Sequence, residues 1–317
     1  MVKTKVLLAF GTHHGTKRKE KADRPFFRDS VAPFLEEEII KNGKRAAIIY
    51  EVTLEDYIPS SPKSKEEMRM YLSETGNQRK RRMTLIQQEL TKLERTITQK
   101  WRETRDRGEP FMKVSLDWGF EDIILEINRS RPNQITHYAE PQSSEATYAW
   151  WATDILLKEL DRYRFSDRQR KLGIMIDYIM EFVKHDVLRD KSVFSLAERL
   201  RRENADRVII IPRGTAHRGM NVLFKPDHYN VVYKESEDVL YLDFLDEFIA
   251  KNYIGTPPKE DLMRYAKLQL DCMEYVSTHR YTPSQIFMRI FGNKSVAKRE
   301  LELTQAGRQF ALSKRTQ

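Results

Sequence analysis

Five short apolar runs, each bounded by charged or turn-forming residues, recur along the chain: KVLLAF from Lys5, RAAIIYEV from Arg45, QITHYAE from Gln134, RVIIIPR from Arg207 and YNVVYKE from Tyr229. Runs of this length, rich in Val, Ile and Tyr, read as strands. Stretches with a helical period lie between most of them. Strands alternating with helices predict an α/β fold, with a mainly parallel sheet flanked by helices. The opening MVKTKVLLAFG has an apolar run too short for a signal sequence and is expected to be the first strand.

Between the second and third runs lies an insertion over residues 62–107, far longer than a crossover needs. Met83, Ile86, Leu90, Leu93, Ile97 and Trp101 recur three or four apart, which is one apolar stripe on a long helix. Gly76-Asn77 is expected to turn this helix back on a shorter one carrying Met68 and Leu72. Packing on the body is the expected role, and a lid or docking arm is the alternative. The chain therefore divides into an α/β domain over 1–252 containing this helical hairpin, and a helical extension with a basic tail over 253–317.

Charge sharpens that division. Of the net +9, the insertion supplies 13 Lys/Arg against 7 Asp/Glu, and residues 293–317 supply 6 against 2. The rest is near neutrality, so basicity belongs to two appendages rather than to the body. That argues against a nucleic-acid enzyme while leaving room for an anionic partner. The one cysteine, Cys272, excludes an internal disulfide and any thiolate cluster, and its helical apolar context reads as packing. No window approaches 18 uninterrupted apolar residues, and a cytoplasmic protein is expected.

In parallel sheets ligands bind beyond the carboxyl ends of the strands, so the residues that follow each run matter most. There the sequence repeats itself. LLAFGTHHGT and IIIPRGTAHRGM both read as a strand, then Gly-Thr-x-His, then a second glycine. The echo pairs His14 with His217 and leaves His13 as a spare. Glycine lets the chain turn sharply on leaving the sheet, and a neutral imidazole there can bind a metal or take a proton. Glu51 and Glu140 end the second and third strands and supply carboxylates, whereas Glu55, Asp56, Glu126 and Glu145 read as caps or solvated residues.

These residues resemble a superfamily that includes the TraB/PrgY, TIKI and GumN-like proteins and the erythromycin-esterase and ChaN-like group. Its pattern is a strand with G-x-x-H, two strands ending in glutamate, an arginine in an R-[DN] pair at the head of a helix, and a final strand with G-x-x-H-x-x-G. Here GTHHG, IIYEV, HYAEPQSSEA, LRDKSVFSLAERLRREN and VIIIPRGTAHRGM keep that order from about Lys3 to Glu235. Carried over by position, the resemblance implies a site of His14, Glu51, Glu140, Arg189 and His217. Two departures stand out: the second motif reads PRGTAH where small residues usually precede the histidine, and the methionine after R-[DN] is replaced around Val193-Phe194.

The resemblance implies a hydrolase of an amide or ester bond, with a peptide or small ester as substrate. His14, His217, Glu51 and Glu140 would hold a divalent metal (zinc, manganese or iron) or activate water directly, and Arg189 would stabilise the oxyanion. A homo-oligomer through the hairpin or the C-terminal helices is a further expectation. The rival is a non-catalytic ligand-binding protein whose basic hairpin and tail dock an anionic partner such as nucleic acid.

Overall fold

The computed structural model describes residues 3–11, 20–52, 54, 57–105, 119–162, 167–235, 253 and 257–278. All five anticipated strands form: β1 (Thr4–Gly11), β2 (Ala46–Tyr50), β3 (Ile135–Ala139), β4 (Val208–Gly214) and β5 (Tyr229–Glu235). They make one parallel sheet in the order β3-β2-β4-β1-β5. Near-continuous apolar runs suit this arrangement, because both faces of a parallel sheet are covered by helices.

Alternation along the strands sorts side chains into two layers. Leu7, Ala9, Ala46, Ile48, Tyr50, Val208 and Ile210 face one layer. It contains parts of α1 (Glu20–Leu35), α2 (Lys65–Ser73), α3 (Gly76–Arg105), α4 (Glu121–Ser130) and α5 (Ser144–Arg162). Val6, Leu8, Phe10, Ala47, Ile49, Ile209 and Ile211 face the other, against α6 (Arg168–Glu203) and α7 (Lys259–Thr278). The C-terminal extension thus packs on the body through Leu262, Ala266 and Leu270.

The insertion packs on the body as well. Ile86, Leu90, Ile97 and Trp101 of α3 are buried in the first layer, and the Trp101 ring meets Tyr50 of β2 with centroids 5.0 Å apart. Its corner is built as the sequence suggests. Ser64 caps α2 by accepting from the Glu67 N–H, and Gly76 takes a positive φ of 56° that a side chain would resist. Arg82 then reaches back to Glu74 at 2.6–2.9 Å while lying 3.5 Å over the Tyr71 ring, locking α3 against α2.

Candidate functional site

The strands that lead into the echoed motifs lie side by side in the sheet. β1 and β4 are neighbours, and their terminal residues Gly11 and Gly214 are register partners, so the two Gly-Thr-x-His segments begin side by side. The strand order β3-β2-β4 places Glu140, Glu51 and Gly214 along the same carboxyl edge, and the Glu140 N–H donates to Tyr50 O at 2.9 Å. His217 follows in a 3-10 helix over Thr215–Leu223. From the second layer α6 adds Asp186, Arg189 and Asp190, which share one helix face because they are spaced by three and four residues.

These groups form a closed ion cluster. Arg189 bridges the two glutamates, its Nε 2.6 Å from Glu140 Oε1 and its Nη2 3.1 Å from Glu51 Oε1. Arg213 donates to the other Glu140 oxygen and lies 3.3 Å from Asp190 Oδ1. His217 joins Asp190, 2.9 Å from Nδ1, to Glu51, 3.3 Å from Nε2. The Gly214 N–H closes the ring at 3.3 Å from Glu51 Oε2. All six side chains are buried, and the guanidinium of Arg213 is wholly so.

Burial on this scale demands internal neutralisation. Four carboxylates, Glu51, Glu140, Asp186 and Asp190, face two guanidiniums, so the surroundings of His217 carry an excess of negative charge. Burial and the adjacent Arg213 act to lower the His217 pKa, but Asp190, Asp186 and Glu51 outweigh them and raise it to about 10. The surrounding carboxylates thus favour the imidazolium form of His217, although Arg213 Nη2 lies 3.3 Å from its Nδ1. Asp186 is pushed up to about 6, chiefly by burial. His185 goes the other way: burial and the Arg189 charge lower it to about 3, and its Nδ1–H donates to Ala146 O at 2.9 Å.

The insertion reaches this cluster through the turn after β3. Gln142 Nε2 donates to Glu140 Oε1 at 2.5 Å and to Val52 O at 2.8 Å, joining the two strand ends. Its own backbone is held by α3: its N–H donates to Glu94 at 2.6 Å and its carbonyl accepts from Gln87 at 3.1 Å. Gln87 also accepts from the Ser144 N–H at 2.9 Å.

Of the five residues taken from the sequence, the structure brings together Glu51, Glu140, Arg189 and His217. His14 and His13 lie outside the described residues. One placement is corrected. Arg189 was expected at the head of a helix, yet it sits in the middle of the 36-residue α6, because the buried stripe of Met175, Ile179, Val183 and Val193 runs past it without a break. Arg213, Asp190 and Asp186 extend the cluster beyond those five. Arg213 signals itself as a charge at the end of an apolar run, and Asp186 with Asp190 by their helical spacing from Arg189.

What the cluster already binds decides whether it could hold a divalent metal. Both Glu140 oxygens are committed to guanidiniums, and the His217 ring is held between the carboxylates of Asp190 and Glu51. Metal binding requires a neutral imidazole and free carboxylate lone pairs. Among the described residues no three His, Cys, Asp or Glu groups are placed to hold a metal ion, and His14, one of the four expected ligands, lies outside them.

No family model, curated protein or solved structure matches this chain. Among the described residues no helix is long and apolar enough to cross a membrane.

Proposed function

We propose that this chain is a hydrolase of amide or ester bonds, of the TIKI, TraB and erythromycin-esterase type, acting at the carboxyl edge of its sheet. One observation carries the reading: Arg189 bridges Glu140 and Glu51 while His217 sits on Glu51, so four residues chosen from distant parts of the sequence share one cluster. A merely structural ion pair needs two partners. This one draws on two strand ends, a helix and a 3-10 turn, with a cation and an imidazolium directed at the same carboxylate.

The division of labour follows from the contacts. Glu140, fully buried between two guanidiniums, orients Arg189 and Arg213 and has no free oxygen to accept a proton. Glu51 is the more accessible carboxylate and serves as the general base that takes a proton from the attacking water. Arg189 neutralises the oxyanion as the carbonyl becomes tetrahedral. His217, already protonated, gives its proton to the leaving alkoxide or amine. The proton gained by Glu51 then returns to His217 across their 3.3 Å contact.

A binding role without turnover draws on the same burial, since the guanidiniums and carboxylates of the cluster already pair with one another. Chromogenic esters and anilides, p-nitrophenyl acetate and leucine p-nitroanilide, separate the two readings. Turnover that falls at least about 100-fold in both Glu51→Gln and His217→Ala, with unfolding midpoints reported alongside, supports hydrolysis. Turnover kept at the wild-type rate in either folded variant sinks it.

A further inference from the structure

The insertion carries a second feature that the ion cluster does not use. A groove of about 930 Å³ runs along the outer flank of α3 from Gly76 to Gln99 and is closed on one side by Ser144 and Glu145 at the start of α5. Arg79, Lys80, Lys92 and Arg95 line it, against the single carboxylate of Glu145. Among the described residues none of these four cations has an ion-pair partner within 4 Å. Arg82, Lys158 and Arg201 elsewhere on the helices do. Met83 is the only apolar side chain lining the groove, and the other lining side chains are threonines, glutamines and a serine.

We propose that this groove binds the phosphate backbone of double-stranded nucleic acid. Four unpaired cations in a concave setting attract a polyanion, and the hydroxyl and amide groups between them can donate to phosphate oxygens. With one apolar side chain, the groove offers no anchoring pocket for a peptide helix. With no aromatic ring, it offers no stacking platform for single strands. Arg79 and Arg95 are 16 positions apart on one helix, or about 24 Å, a length along which one duplex strand presents about seven phosphates. Contacts confined to phosphate make the binding independent of sequence. Arg79 is held in place by the Tyr148 ring 5.1 Å away, while Lys80, Lys92 and Arg95 are exposed and free to adapt.

The test uses the full chain, a fluorescent 24-base-pair duplex as DNA and as RNA, and the corresponding single strand, read by anisotropy across salt concentration. Four phosphate contacts predict a log–log salt slope of about −3.6. The triple variant Lys80→Glu/Lys92→Glu/Arg95→Glu should weaken binding at least about 30-fold and flatten the slope to about −1, with its circular dichroism and melting temperature unchanged. The neutral triple Lys80→Gln/Lys92→Gln/Arg95→Gln should fall between. A tail variant, Lys294→Glu/Lys298→Glu/Arg299→Glu, should keep most of the affinity.

Loss of binding in the tail variant with none in the groove variant overturns the proposal, as does no binding at 50 mM salt. A single strand or polyglutamate that displaces the duplex at equal charge concentration also overturns it. So does groove-dependent capture by phosphatidylserine vesicles that exceeds capture by duplex.

Discussion

Glu94, in the middle of the insertion helix, accepts the backbone N–H of Gln142 at 2.6 Å, and Gln142 in turn donates to Glu140 in the ion cluster. A helix of the insertion thus braces a residue of the ion cluster. Thr98, one turn further on, accepts from the Ala139 N–H at 3.4 Å, so α3 contacts the chain on both sides of Glu140.

This brace predicts a pH dependence of stability. Burial, with the charge of Glu140 adding to it, raises the Glu94 pKa to about 7 against the opposing Gln142 N–H. A carboxyl whose folded pKa lies above its unfolded value contributes stability that is complete below about pH 4.5 and is lost as pH rises through 7. Urea unfolding of wild type and Glu94→Gln from pH 4.5 to 8 should differ in slope. The wild type loses on the order of 1–3 kcal/mol more than the variant across that window. Parallel curves would remove Glu94 as the titrating group.

His217 should titrate far above an ordinary histidine. Its imidazolium, raised to about 10, stabilises the fold fully below about pH 6.5, and that contribution is lost as pH rises through 10. Ring-nitrogen NMR should find His217 protonated at pH 8, and Asp190→Asn should lower its midpoint. A midpoint near 6.5 in the folded wild type would contradict the closed cluster.

Removing one carboxylate should be worse than its own contacts suggest. Glu140→Gln leaves Arg213 and Arg189 buried with a missing counter-charge, and breaking a buried pair from one side costs about 3–5 kcal/mol. Equilibrium urea unfolding at pH 7 measures this directly, and a change below 1 kcal/mol would mean that water reaches the cluster.

Packing of the insertion on the body predicts a contrast along one helix. Leu90 is fully buried in the first layer while Leu85 is 43% exposed. Leu90→Ala should cost about 2–5 kcal/mol in chemical unfolding and Leu85→Ala less than about 0.5. Equal small effects would describe a free arm rather than a packed layer.

The five strands, the parallel layer architecture, the helical hairpin with its turn at Gly76 and the carboxyl-edge residues Glu51, Glu140 and His217 were legible in the chain, because each depends on local periodicity or on what directly follows a strand, whereas Arg189, in the middle of α6, was implied by the family resemblance alone. The echo of Gly11 and Gly214 was legible as a repeat. That the two glycines are register partners depends on β1 lying beside β4, which no local pattern states. The role of Arg213 was hidden for the same reason: at the end of β4 it looks like a departure from a motif until β2 and β3 bring Glu140 within reach. The sequence by itself determined which segments become strands and which residues reach their ends, since burial of apolar runs and the two-residue strand repeat are local. The tertiary structure alone decided who pairs with whom. Once Glu51, Glu140 and Asp190 are packed out of water, their charges must be met by the nearest cations, and strand order together with the face of α6 makes those Arg189, Arg213 and a protonated His217.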